Sequence, residues 1–212
     1  MAAIGAGLEI DEPVGRMVVD VGGGTSEMAV ISLGGIVVSR SVRVGGYEMD
    51  EAISSYIRTV HQLAIGSRTA ENIKIQVGSV IPLFPEETIE VRGRHLVSGL
   101  PTAVELRSEE VRGAIMAPVR EILRAIRDTL EETPPELASD IAKDGILLAG
   151  GGTLVRGFRE LVAEETGMPV YSAESPLTCV AFGSGQALDH FDQLSRASRH
   201  RAPSLTYDWR TA

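Results

Sequence analysis

The chain has 212 residues, 43% of them hydrophobic and 23% charged, which is enough apolar content to bury a core in one large domain or two small ones. A net charge of −9 and an aromatic content of 4% argue against a phosphate-neutralising face and a base-stacking platform, so nucleic acid is not an expected partner. The single cysteine, Cys179, excludes an internal disulfide and fits a reducing cytosol.

The first residues, Met1 to Gly7, are apolar but lack the positive region of a signal peptide, and no apolar run approaches the roughly 20 residues needed to span a bilayer. Three β-rich runs follow: Met17 to Val21, Glu27 to Leu33, and Ile36 to Val44. Glycine clusters separate them, which predicts an antiparallel meander. Met49, Ile53, Ile57, Val60 and Ala64 recur at helical spacing and predict an amphipathic helix. A short helix is expected from about Arg68 to Val77, capped by Ser67 or Thr69. Residues 80–107 carry Pro82, Pro85 and two short β-rich runs, Thr88 to Arg92 and Ala103 to Leu106, and read as part of an inserted small subdomain.

Ser108 is the expected cap of a long helix whose buried stripe is Val111, Ile115, Val119, Ile122, Ile126 and Leu130, with a kink expected at Pro118. Thr133-Pro-Pro ends it and opens another helix at Pro135. Gly145 to Ala149 is fully apolar and reads as a buried strand. It runs into Gly150-Gly-Gly-Thr153 and then a helix from about Val155 to Glu165. A strand at Pro169 to Tyr171 and a helix from Leu177 to Asp192 follow, with Cys179 as a small core residue. A meander followed by βα alternation predicts a three-layer α/β domain. Arg196, Arg199, His200 and Arg201 lie in a tail that reads as solvated or as a weak anionic contact.

Three features carry chemistry. Asp20-Val-Gly-Gly-Gly-Thr25 lies between two strands, where Gly22, Gly23 and Gly24 allow backbone amides to approach a phosphate; a plain hairpin turn is the alternative. Asp20, at a strand end, is placed to hold Mg2+ through water, and Thr25 to orient a hydroxyl or water near a terminal phosphate. Gly150, Gly151, Gly152 and Thr153 follow a buried strand, the ordinary geometry for a phosphate site or for a tight turn. Glu71 and Lys74, three apart on one helical face, suit ribose hydroxyls and an adenine edge, or else form a surface ion pair. No Gly-Lys-Ser or Gly-Lys-Thr sequence is present, which argues against a P-loop NTPase.

The segment Val18 to Ile36 closely resembles the second phosphate motif of the MreB/Mbl family of rod-shape-determining, actin-like bacterial proteins. Gly45-Gly-Tyr-Glu-Met-Asp-Glu-Ala-Ile53, Arg68-Thr-Ala-Glu71, Glu132-Thr-Pro-Pro-Glu-Leu137, Gly150 to Gly157 and Ser175-Pro-Leu-Thr178 resemble that family in the same order. The resemblance runs from about Ala2 to Asp189. It implies an actin-like ATPase (ribonuclease H-like) fold that binds ATP and Mg2+. It further implies a cytoplasmic cytoskeletal protein, self-associating into filaments with the cell-elongation machinery, in cell-shape determination and wall elongation.

Carried over by position, Asp20 serves the magnesium and Gly22 to Thr25 the phosphates. Glu71, Asn72 and Lys74 hold the nucleoside, and Gly150 to Thr153 flank the adenosine. Asn72 stands where the family commonly has arginine, and Ser26 where it has threonine.

The expected organisation is a remnant of the N-terminal domain at 1–16, an actin-like core at 17–65 and 108–190, an inserted α+β subdomain at 66–107, and a disordered tail at 191–212. The family's first phosphate loop, catalytic glutamate and membrane-binding element have no counterpart in the sequence. The expectation is therefore a truncated form with weak ATP binding, negligible hydrolysis, membrane association only through partners, and an exposed sheet edge near Met17 to Val21. The alternative expectation is an interaction fragment that keeps part of the filament interface and binds no nucleotide. A sugar kinase of the wider superfamily would need a substrate-binding carboxylate in a second cleft, and no segment resembles one.

Overall fold

A computed structural model describes residues 1–189. The tail with Arg196, Arg199, His200 and Arg201, and the expected end of the last helix at Asp192, lie outside those residues.

The meander forms as its alternation dictates: β1 (Arg16–Val21), β2 (Ser26–Ser32) and β3 (Gly35–Val42) pair antiparallel in sequence order. Two later strands, β7 (Ile146–Ala149) and β8 (Val170–Ser172), extend the sheet in parallel on the other side of β1, giving the order β3-β2-β1-β7-β8. Between them in the chain lie β4 (Leu63–Ala64), β5 (Thr88–His95) and β6 (Pro101–Arg107), which form a separate three-stranded antiparallel sheet.

Among the described residues, seven α-helices accompany the strands: α1 (Ala2–Gly5), α2 (Gly46–Val60), α3 (Ser67–Val77), α4 (Ser108–Glu131), α5 (Pro135–Asp144), α6 (Phe158–Thr166) and α7 (Cys179–Asp189). The period-2 geometry of β1 divides its side chains between two layers. Met17, Val19 and Val21 enter a large core with Met49 and Ile53 of α2, Ile115, Val119 and Ile122 of α4, and Phe158 of α6. Val18 points the opposite way, into a smaller cluster with Ala2, Ala3 and Cys179. The sheet is thus the middle layer of three, and Cys179 is a buried core residue.

The expected exposed edge near Met17 to Val21 is not present. Strand β1 is central, with a hydrogen-bonded neighbour on each side and helices over both faces, so its apolar side chains are 6% exposed or less.

Local differences from the sequence reading have local causes. The stripe Met49, Ile53, Ile57 is buried, but Val60 is exposed and Ala64 belongs to β4, paired with Arg94, so strand pairing overrode the helical period. Neither Ser67 nor Thr69 caps α3; Gly66 is the cap residue, and Ser67 is already helical. Ser108 likewise sits inside α4. The cap residue is Arg107, whose backbone N–H donates to the Glu110 carboxylate at 2.9 Å, while the buried Ser108 hydroxyl is held by Glu86 and accepts the Glu87 N–H at 2.9 Å. Pro118, where a kink is expected, lies inside α4, which continues to Glu131. After β7 the chain makes a 3-10 turn (Gly151–Leu154), and α6 starts only at Phe158, later than the expected Val155, because Gly157 in a left-handed conformation must first redirect the chain.

Candidate functional site

The site is positioned by one pairing. Strands β1 and β7 run parallel with Asp20 opposite Ala149, so the two strands end side by side and both glycine clusters emerge at the same sheet edge. Ligands of open α/β sheets collect at the carboxyl ends of strands, and both turns open there into one cavity of about 660 Å³.

The turn after β1 is held from outside. Gly22 N–H donates to the Thr25 carbonyl at 2.8 Å, closing the turn. The first free N–H groups of α2 then cap its carbonyls: Gly46 N–H reaches Gly22 O at 3.0 Å and Tyr47 N–H reaches Gly23 O at 2.6 Å. The approach is so close that a β-carbon on Gly45 would fall 2.5 Å from Gly22 O, which only glycine avoids. With the loop carbonyls engaged by α2, the amides of Gly23 and Gly24 have no hydrogen-bond partner among the described residues, and Gly23 lines the cavity.

On the facing side, Gly150 adopts φ +83°, and a β-carbon there would meet Val21 O at 2.3 Å and Asp20 Oδ1 at 2.4 Å. Its N–H donates to Pro176 O at 2.9 Å, which brings Leu177 against Gly151. The Asp20 carboxylate makes no hydrogen bond or ion pair among the described residues. Burial, with a smaller contribution from Glu27, pushes its pKa above the usual carboxylate range against the opposing effect of the amino terminus. A half-buried carboxylate lacking a counter-charge fits a cation delivered with its own water shell.

Of the residues singled out from sequence, Asp20, Gly22, Gly23, Glu71, Lys74, Gly150, Gly151 and Gly152 line this cavity. Gly24, Thr25, Asn72 and Thr153 do not. Thr25 and Asn72 are exposed, and the Thr153 hydroxyl turns back to donate to Gly150 O at 2.8 Å, tightening the turn.

Glu71 and Lys74 both line the cavity, but Lys74 is committed elsewhere. Its ammonium lies 2.9 Å from Asp50 Oδ1 and donates to Gly46 O at 2.9 Å. Sequence reasoning missed Tyr47, Asp50 and Arg156 as lining residues. Arg156 grips Glu87 with two guanidinium nitrogens, at 2.7 and 2.9 Å, and donates to Gln76 O and Gly78 O. One signal was present for the Asp50–Lys74 pair: each residue adjoins the buried stripe of its helix, Met49 and Ile53 for Asp50, Ile73 and Val77 for Lys74. Charges at the margin of two stripes that pack together tend to meet.

Three carboxylates (Asp20, Asp50, Glu71) and two cations (Lys74, Arg156) line the cavity. Asp50 neutralises Lys74 and Glu87 neutralises Arg156, so the charge balance favours an anion that arrives with a cation. Isoleucine, leucine and valine side chains of Ile75, Leu154, Leu177 and Val180 supply an apolar wall beside the glycines, a combination suited to a ligand with one flat apolar and one anionic end. Among the described residues, no helix is long and apolar enough to cross a membrane, and no cluster of three metal-ligating side chains occurs.

The family model described as MreB/Mbl protein matches residues 1–196. The cell shape-determining protein Mbl of Bacillus subtilis (strain 168) is 48% identical over 196 residues, 92% of this chain and 59% of Mbl. The cell shape-determining protein MreB of Escherichia coli (strain K12) is 52% identical over 191 residues, 90% of this chain and 55% of MreB. Crystal structures of MreB5 of Spiroplasma citri bound to ADP and to AMPPNP each superimpose with TM-score 0.87 at 38% identity, covering 59% of that protein and 92% or 93% of this chain. The chain therefore spans somewhat more than half the length of these relatives, and its mixed α/β architecture is actin-like.

Proposed function

The chain belongs to the MreB/Mbl family, and on that premise we propose that it is an ATP-binding cytoskeletal element of cell-shape determination, with Mg-ATP seated between its two glycine turns. One observation carries the reading: with Asp20 opposite Ala149 in the register, Gly22 and Gly23 of one turn and Gly150, Gly151 and Gly152 of the other line one cavity. Unpartnered loop amides face the phosphates, the 3-10 turn at Gly151 adds a second set of N–H groups, and Asp20 holds magnesium through water. Magnesium, when bound, supplies positive charge to the phosphates. Glu71 and Lys74 take the ribose and base edge, and the apolar wall of Ile75, Leu154 and Leu177 takes the base. The fit to Mg2+ rests on the Asp20 carboxylate, half-buried without a counter-charge. The solved MreB5 structures are bound to ADP and to AMPPNP, which supports a nucleotide as the ligand.

Self-association into filaments and engagement of the cell-elongation machinery complete the proposal, supported by the cell shape-determining roles of Mbl and MreB. Calorimetry of the purified chain with Mg-ATP tests the nucleotide half. Saturable heat at up to millimolar ligand, lost in Gly151→Val, is expected. An absence of heat would favour an interaction fragment that binds no nucleotide.

A further inference from the structure

We propose that Asp50 is a positioning residue for the nucleotide: it locks the Lys74 ammonium against the Gly46 carbonyl, so that the nucleoside end of the cavity and the phosphate turn behave as one unit. The inference rests on the nucleotide reading above.

The geometry is a continuous chain of contacts. Asp50 lies in α2 and Lys74 in α3, with side chains 10% and 12% exposed, and the carboxylate oxygen stands 2.9 Å from Nζ. The same ammonium donates to Gly46 O at 2.9 Å. That same peptide unit and the one before it donate to the glycine turn, Tyr47 N–H to Gly23 O and Gly46 N–H to Gly22 O. An ammonium has three N–H bonds. One is directed to Gly46 O, and the Asp50 carboxylate holds the ammonium as an ion pair beside the cavity that Lys74 lines. A lysine on a four-carbon stem would otherwise sample many directions; this one reaches the ligand as a single fixed donor.

Neither partner is replaceable from nearby. Burial raises the Asp50 pKa and Glu71 adds to it, while Lys74 alone opposes them. The other cation on the cavity, Arg156, is held by Glu87 and the Gln76 and Gly78 carbonyls. Removing one partner leaves the other as a buried, uncompensated charge.

Lys74 and Lys143 are the chain's two lysines, and Lys143 is exposed on α5, so one serves as reference for the other. Amine acylation by an N-hydroxysuccinimide ester, read by peptide mass spectrometry, reports Lys74 relative to Lys143 without any nucleotide. The ester must reach a freely moving amine, and the Asp50 and Gly46 contacts hold the Lys74 amine against α2. Asp50→Asn frees the Lys74 amine from α2 and is expected to raise the Lys74-to-Lys143 ratio about tenfold and to weaken Mg-ATP binding about tenfold. Asp50→Asn combined with Lys74→Gln leaves no buried charge and covers the case where Asp50→Asn alone does not fold. Its Mg-ATP affinity is expected to equal that of Lys74→Gln alone.

An unchanged acylation ratio, or a double variant weaker than Lys74→Gln alone, overturns the proposal. Wild-type protein that protects Lys74 but binds no Mg-ATP overturns the nucleotide reading and the positioning role with it, while leaving the ion pair itself intact. The two failures are therefore distinguishable.

Discussion

The Asp20 carboxylate lies over the α-carbon of Gly150, close enough that a methyl group there would fall 2.4 Å from Oδ1 and 2.3 Å from the Val21 carbonyl oxygen. Parallel pairing of β1 with β7 creates this contact, and the positive φ of Gly150 turns the chain away at the point of closest approach. Gly150→Ala would thus be both strained and obstructed. A loss of at least about 2 kcal/mol of stability is expected, together with loss of Mg-ATP binding. Chemical denaturation of the two proteins side by side checks it, and a variant as stable as wild type would mean that the two strand ends are not this close.

Asp20 should show opposite effects on binding and stability. Its folded pKa lies above the ordinary value because burial, then Glu27, disfavours the charge. A raised carboxylate pKa means that ionisation costs stability once pH exceeds both the folded and unfolded values. At neutral pH, Asp20→Asn is therefore expected to melt at the same temperature as wild type or higher. Its affinity for ATP should fall about tenfold when magnesium is present and little when it is chelated. Melting curves and titrations with and without EDTA measure both. A fall in melting temperature with Mg-dependent affinity intact would count against the assignment.

Ser108 anchors the start of α4 to the segment before β5. Its hydroxyl is buried between Glu86 and the Glu87 N–H, and its own N–H donates to Glu87 O at 2.8 Å. Ser108→Ala strips a buried donor from one carboxylate and leaves the Glu87 N–H unpaired, at a cost of about 1–3 kcal/mol. Urea unfolding gives the value directly. Ser108→Thr should cost stability too, by overpacking a fully buried site.

Glu86 gives a pH signature. Arg112 first, then the Ser108 hydroxyl and the Leu83 N–H, hold its carboxylate down to about 2 from an unperturbed 4.5. A depressed carboxylate pKa contributes stability that is complete above the unfolded value and is lost as pH falls toward the folded one. Wild type should therefore lose stability faster than Glu86→Gln as pH drops below 4.5 toward about 2, with the two melting temperatures converging. Parallel slopes of melting temperature against pH would show that Glu86 is not paired in solution.

Much of the fold is legible in the chain itself. Alternation and glycine clusters mark β1, β2 and β3; the stripe Val111, Ile115, Val119, Ile122, Ile126 marks α4; Thr133-Pro-Pro marks the break before α5. These succeed because each is a period or a breaker acting over neighbouring residues. The two glycine turns are equally visible, since phosphate-sized approaches to the backbone require the absence of β-carbons. Helix caps are less so. Ser67, Thr69 and Ser108 have the right chemistry for capping, yet Gly66 and Arg107 take those positions, because the chain's entry angle into each helix is set by packing and not by the side chain that could cap it.

Sequence alone determined the residue types on either side of the cavity: the Asp20 turn and the Gly150 turn, each at a strand end. Tertiary structure alone decided that the turns adjoin, that Thr153 faces its own turn, and that Lys74 answers to Asp50 while Glu71 stays free of it. The physical reason is distance along the chain. Register between β1 and β7 and the packing of α2 on α3 are settled by the shared core, where many weak contacts add up, and no local pattern encodes which charged side chain at the edge of one stripe will meet one at the edge of another.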